Sequence, residues 1–126
     1  MGPNLSYSPR LLTARPGEPL AITLVNPDSV PHNLALCKPG SLMRVGAAVN
    51  ALVTNPEAAA RQYVPDSPDV IAFTDIVPPH ARFTISFRAP ESAGRHPFLC
   101  TFPGHWMAMQ GELVVENPAE TPPAPR

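Results

Sequence analysis

Three donors of soft or borderline character stand within ten residues, "CTFPGHWMAM" at 100–109: the Cys100 thiol, the His105 imidazole and the Met109 thioether. Their spacing is C-x4-H-x3-M. Thiolate with imidazole suits copper or zinc rather than the hard cations that prefer oxygen. Pro103 and Gly104 fall between Cys100 and His105, where the chain must turn if both side chains are to aim at one point. A third strong donor has to come from elsewhere. His32 is the candidate, because it follows Pro31 where a turn enters an apolar run. Two His and one Cys with a weak axial thioether form the trigonal arrangement of a blue-copper electron-transfer centre. Met107, at C-x4-H-x-M, competes with Met109 for the axial place. His80 sits in a proline turn and reads as structural. His96 precedes Cys100 by four residues, so strand alternation puts both on one face and keeps it as a minor candidate. Cys37 reads as a buried small hydrophobe.

The rest of the chain must bring residue 32 to residues 100–109. With 19 prolines it cannot be mostly helix, because proline breaks helix interiors. "LLTARPGEPLAITLVN" reads as two strands about an Arg15-Pro16-Gly17 turn, "NPDSVP" (26–31) as a turn and "HNLALC" (32–37) as a third run. "MRVGAAVNALV" (43–53) is helical, and Asn55-Pro56-Glu57 predicts a capped second stretch over "EAAARQY". The helical insertion therefore spans about 43–63. "DVIAFTDIV" (69–77), "RFTISFRAP" (82–90), "GRHPFLCTF" (94–102) and "GELVVEN" (111–117) supply further strands. In the second of these Phe83, Ile85 and Phe87 alternate with Arg82, Thr84, Ser86 and Arg88, as in a half-buried antiparallel strand. Seven or eight short strands with one helical insertion define an all-β sandwich over residues 1–117. Residues 118–126 are a proline-rich tail or linker.

Composition narrows the partners. Nine basic and ten acidic residues leave a net charge of −1, which gives no electrostatic case for nucleic acid or an anionic membrane. No apolar stretch approaches the roughly 20 residues of a membrane span, so no membrane insertion is expected. Met1-Gly2-Pro3 leads into polar residues with no visible signal peptide. Two cysteines allow at most one disulfide and say little about the compartment.

"CTFPGHWMAMQGELVV" resembles the copper loop of azurin-type cupredoxins, with the same ten-residue length from Cys to Met. "PHNLAL" is similar to the segment carrying their first histidine, and the likeness extends over roughly residues 11–116. The resemblance implies an eight-stranded Greek-key sandwich with one type 1 copper per chain. Its function would be outer-sphere electron transfer rather than an enzymatic reaction. It implies His32, Cys100 and His105 as equatorial ligands and Met109 as the axial one. Asn33 would brace the two ligand segments, its side chain near Thr101 and its backbone N–H on the Cys100 sulfur, with Phe102 N–H as a second donor. Pro31 occupies the place of the glycine whose carbonyl is a distant axial contact in azurins. The N-terminal disulfide of azurins has no counterpart, so Cys37 is expected as a reduced thiol. The resemblance also implies an extracytoplasmic location and a redox partner such as a cytochrome c or a dehydrogenase. Trp106, with Pro103 and Met107, would form the docking patch for that partner; the competing reading folds Trp106 back over the metal.

Two other classes stand against this reading. A domain of a multi-centre copper enzyme would carry an H-C-H or H-x-H pattern, but Cys100 is flanked by Leu99 and Thr101. A copper-binding or interaction module without electron transfer would tend to expose several Met or His ligands, whereas this loop encloses one site.

Overall fold

A computed structural model describes Tyr7, residues 9–102 and residues 104–116. Seven strands are found among these residues: β1 (Leu11–Ala14), β2 (Pro19–Val25), β3 (Ala35–Cys37), β4 (Val70–Phe73), β5 (Arg82–Arg88), β6 (Gly94–Leu99) and β7 (Gln110–Val115). One sheet has the order β1-β7-β6-β3-β4, and β2 pairs with β5 in the other. Only β1 and β7 are parallel, with Leu11 opposite Glu112; the remaining pairs are antiparallel.

Alternation along the strands builds a core on each side of the larger sheet. Leu36, Phe98 and Leu113 point inward and meet Leu24 of β2 and the half-buried Phe83 and Phe87 of β5. Cys100 and Met109 belong to this inner core. Ala35, Cys37 and Leu99 take the opposite face and pack under Val45 and Val49 of helix α1 (Leu42–Ala51). A strand covered on both faces needs apolar side chains at successive positions, and "ALC" of β3 is buried throughout.

The helical insertion departs from its expected form. α1 passes into a 3-10 turn at Leu52–Thr54, and the "EAAARQY" stretch makes only a second 3-10 turn, Ala59–Arg61. Asn55 does not cap that turn: it ends the 3-10 turn before it, its Oδ1 accepts the Glu57 N–H at 2.9 Å in a local turn, and the second 3-10 turn starts after Ala58 with no side-chain cap. The turn then ends because Gln62 and Tyr63 adopt φ of 58° and 59°, and Pro65 disfavours helical geometry in the residue before it. Three strands are also shorter than their apolar runs. β3 begins at Ala35 rather than His32, β4 stops at Phe73 and β6 at Leu99. At β4 the cause is local: the Thr74 hydroxyl accepts the Leu34 N–H at 3.1 Å and the chain turns away. It returns at Val77, which exchanges backbone bonds with His32 in an isolated bridge (3.2 and 2.7 Å).

Both strands that flank the Cys100–Met109 segment meet it at one end of the sheet. β6 runs up to it and β7 runs away from it, so Val115 lies at the far end, opposite Gly94.

Candidate metal centre

His32 is held in its bridge to Val77. Cys100 directly follows β6, and its N–H bonds to the Met109 carbonyl at 3.1 Å, closing the loop. Inside the loop His105 N–H donates to Phe102 O at 3.1 Å and Met109 N–H to His105 O at 2.9 Å. Gly104 has φ +87°, a conformation that side-chain-bearing residues resist, and so allows the reversal before His105.

These segments bring Nδ1 of His32, Sγ of Cys100 and Nδ1 of His105 together. The sulfur lies 4.0 Å from the first nitrogen and 3.7 Å from the second, and donors of all three residues lie within 4.8 Å of one another. The spacing fits a metal. Bonds of roughly 2.0–2.3 Å to a central ion at trigonal angles would separate such donors by roughly 3.6–3.8 Å. His32, Cys100 and Met109 are fully buried, whereas His105 is half-buried and defines the open side. Burial pushes the Cys100 thiol up to about 11, against a smaller lowering by the backbone N–H groups of Asn33 and Phe102. Burial, and secondarily His32, lowers the pKa of His105 and favours the neutral imidazole whose lone pair a metal needs.

Asn33 joins the two segments. Its Nδ2 donates to Thr101 Oγ1 and its Oδ1 accepts the Thr101 N–H, both at 2.7 Å. The Phe102 ring lies tilted at 5.1 Å from the His105 ring and meets Tyr63 edge-on at 5.0 Å. Pro31 is half-buried next to His32. Met107 is 77 % exposed on the outside of the loop, while Pro103 lies outside the described residues.

Trp106 corrects the expectation of a docking surface. It is 6 % exposed and packs with Val45, Val49, Cys37 and Leu99 on the outer face of the larger sheet. Its Nε1–H donates to Asn50 Oδ1 at 2.9 Å. The indole fits because position 46 lacks a side chain: a Cβ on Gly46 would lie 2.5 Å from the ring. Trp106 thus folds back, but against α1.

The remaining soft residues stay apart from the cluster. His96 is buried in the middle of β6, roughly 13 Å of strand from Cys100. Its Nδ1 has no hydrogen-bond partner among the described residues. His80 is exposed in a turn with φ 64°. Cys37 is a buried free thiol, pushed to about 12 chiefly by burial, with the charge of Asp69 adding to the rise.

Some partners of the site carried no strong signal. The Tyr7 hydroxyl donates to the Asn33 carbonyl, and Gln62 accepts from Asn33 Nδ2 at 3.2 Å. Asp28 places Oδ2 at 2.8 Å from Nε2 of His32. Its position, four residues before the histidine in a turn-forming segment, was the available clue.

A buried Cys, two His aimed at it and a thioether-bearing loop on a β-sandwich define a mononuclear copper protein as a class. The particular family is equally plain: residues 2–116 match the copper binding proteins of the plastocyanin/azurin family, and the chain belongs to it. Auracyanin-A of Chloroflexus aurantiacus is 33% identical over 116 residues, covering 90% of this chain and 69% of that protein. Auracyanin-B of the same organism is 37% identical over 87 residues, covering 68% of this chain but only 36% of its own length. The solved structure of auracyanin A, described as a "blue" copper protein, superposes with a TM-score of 0.81 at 31% identity over 91% of this chain and 92% of that one. The protein is a blue copper electron-transfer protein with the cupredoxin fold, and copper is its cofactor.

Proposed function

We propose that His32 Nδ1, Cys100 Sγ and His105 Nδ1, together with the thioether of Met109, would hold a single copper ion. In this reading the chain passes single electrons between redox proteins. The convergence of the three donors carries the assignment, with sulfur-to-nitrogen distances of 4.0 and 3.7 Å. Copper, when bound, supplies a one-electron couple between Cu(I) and Cu(II). The chain's own residues keep the donors still through that change. His32 is fixed by its bridge to Val77 and Cys100 by its bond to Met109, and the Asn33–Thr101 pair ties the two segments together. Backbone N–H groups of Asn33 and Phe102 bond the sulfur and favour its thiolate form. Ionisation of Cys100 releases a proton on metal binding, because the buried group is a thiol at neutral pH without a metal.

His105, half-buried beside the exposed Met107, is the place for electrons to enter and leave. A net charge of −1 and an apolar rim that includes Met107 and Pro31 favour brief, weak docking with a redox protein such as a cytochrome c or a dehydrogenase. Trp106 is not part of that rim. Membership of the plastocyanin/azurin family supports a carrier rather than an enzyme. Residues 1–117 are the domain, with 118–126 as a proline-rich tail or linker, and an extracytoplasmic setting accords with the family.

The test is a visible and EPR spectrum after one equivalent of Cu(II), beside the same for Cys100→Ser. An intense charge-transfer band with narrow copper hyperfine splitting, lost in the variant, is expected. Matching spectra for the two proteins would overturn the assignment.

A further inference from the structure

We infer that Asp28 fixes the tautomer and aim of His32 and lowers the reduction potential of the metal centre; this rests on the reading of His32 as a copper ligand. Oδ2 of Asp28 lies 2.8 Å from His32 Nε2. A carboxylate facing Nε2 is an acceptor for that nitrogen's N–H, which leaves the other ring nitrogen, Nδ1, as the one to face a metal. That Nδ1 is the nitrogen facing Cys100 Sγ. The imidazole is fully buried and the carboxylate only 26 % exposed, so water screens the contact weakly.

Asp28 is aimed by a built turn. The side chain of Asn26, itself fully buried, accepts the Asp28 N–H at 2.8 Å and donates to the carbonyls of Val30 and Val77, both at 2.9 Å. The Asn26 backbone is bonded in turn to Ala81 O and His80 N, at 2.9 and 2.8 Å. Residues 26–31 are thereby pinned to the same segment that holds His32. Among the described residues, Asp28 is the only carboxylate bonded to the three-donor cluster. A carboxylate on the outer nitrogen of a ligating histidine orients the ring and raises its basicity. A more basic ligand beside a full negative charge favours the divalent ion over the monovalent one.

The experiment compares reduction potentials of the copper-loaded wild type, Asp28→Asn and Asp28→Glu. Asn keeps the shape and an accepting oxygen while removing the charge. The expected result is a tenfold fall in the Cu(II)/Cu(I) affinity ratio, a rise of ~59 mV for one electron, with the blue band retained. Glu, which restores a carboxylate, should bring the potential back toward wild type. A purely structural role would change stability and leave the potential where it was; an unchanged potential in Asp28→Asn overturns the inference. A second measurement needs no variant. Nitrogen-15 NMR of the Cu(I)-loaded wild type should show a slowly exchanging Nε2–H on His32, and a rapidly exchanging or absent Nε2–H would overturn it. A wild type that forms no type 1 spectrum would instead overturn the ligand assignment, and the claim about potential with it.

Discussion

Asn33 answers two buried groups of Thr101 with its one amide, so its loss leaves an N–H and a hydroxyl without partners. Each orphaned buried polar group costs on the order of 1–3 kcal/mol. Asn33→Ala should therefore destabilise the metal-free protein by about 3 kcal/mol in urea unfolding. It should also broaden the copper spectrum, because the two ligand segments lose their tie. Cys100 gives a pH dependence at the same scale. Burial raises it from 9.0 to about 11, so the folded metal-free chain holds this proton more tightly than the unfolded chain does. The stability this adds is complete below pH 9 and lost as pH climbs toward 11, by about 1.4 kcal/mol at pH 10. Cys37, raised to about 12, acts in the same direction. Urea midpoints of the metal-free protein should fall between pH 8 and pH 10, and Cys100→Ala should flatten the slope. The donors were legible in the sequence because few other jobs require Cys, His and Met at C-x4-H-x3-M. Asp28 was not, since a carboxylate in a turn is ordinarily solvated and only the Asn26 bonds aim it inward.

Helix α1 and the Cys100–Met109 loop act as one element because Trp106 sits between them. A Gly46→Ala substitution improves helix propensity by about 1 kcal/mol. Its methyl would nonetheless meet the indole at 2.5–2.6 Å, an overpacking that costs about 1–3 kcal/mol. The expected outcome is a lower melting temperature, in contrast to most exposed Gly→Ala changes in helices. Adding Trp106→Phe, a smaller ring, should restore part of the loss in the double variant, which differential scanning calorimetry would read. The same pair explains the limit of sequence reading at this scale. Alternation along 82–88 gave β5 its inward and outward faces, since period two is a local property. The fate of Trp106 depended on a missing side chain at position 46, about 60 residues upstream, and no local pattern reports that. The second helical stretch failed for a related reason: Asn55 bonds only the Glu57 N–H and leaves the later 3-10 turn uncapped, and left-handed residues at Gln62 and Tyr63 end it.

For the whole molecule, a ligand that binds only the folded state stabilises it by mass action. Copper at a thousandfold excess over its dissociation constant should add about 4 kcal/mol to the unfolding free energy. Chelation should return the melting temperature to the metal-free value, and Cys100→Ser should show no such difference.

The parallel pairing of β1 with β7 gives the molecule a mooring end and a working end. Val115 leaves the sheet about 17 Å of strand away from Gln110, where the metal-binding loop closes. Tyr7, by contrast, enters beside Asn33 at the working end. A bulky domain joined directly after Val115 should leave electron exchange with a small redox reagent at its original rate, whereas one joined directly before Tyr7 should slow it in stopped-flow mixing. The fold can be anchored from one pole like a buoy while its redox face stays turned to passing partners.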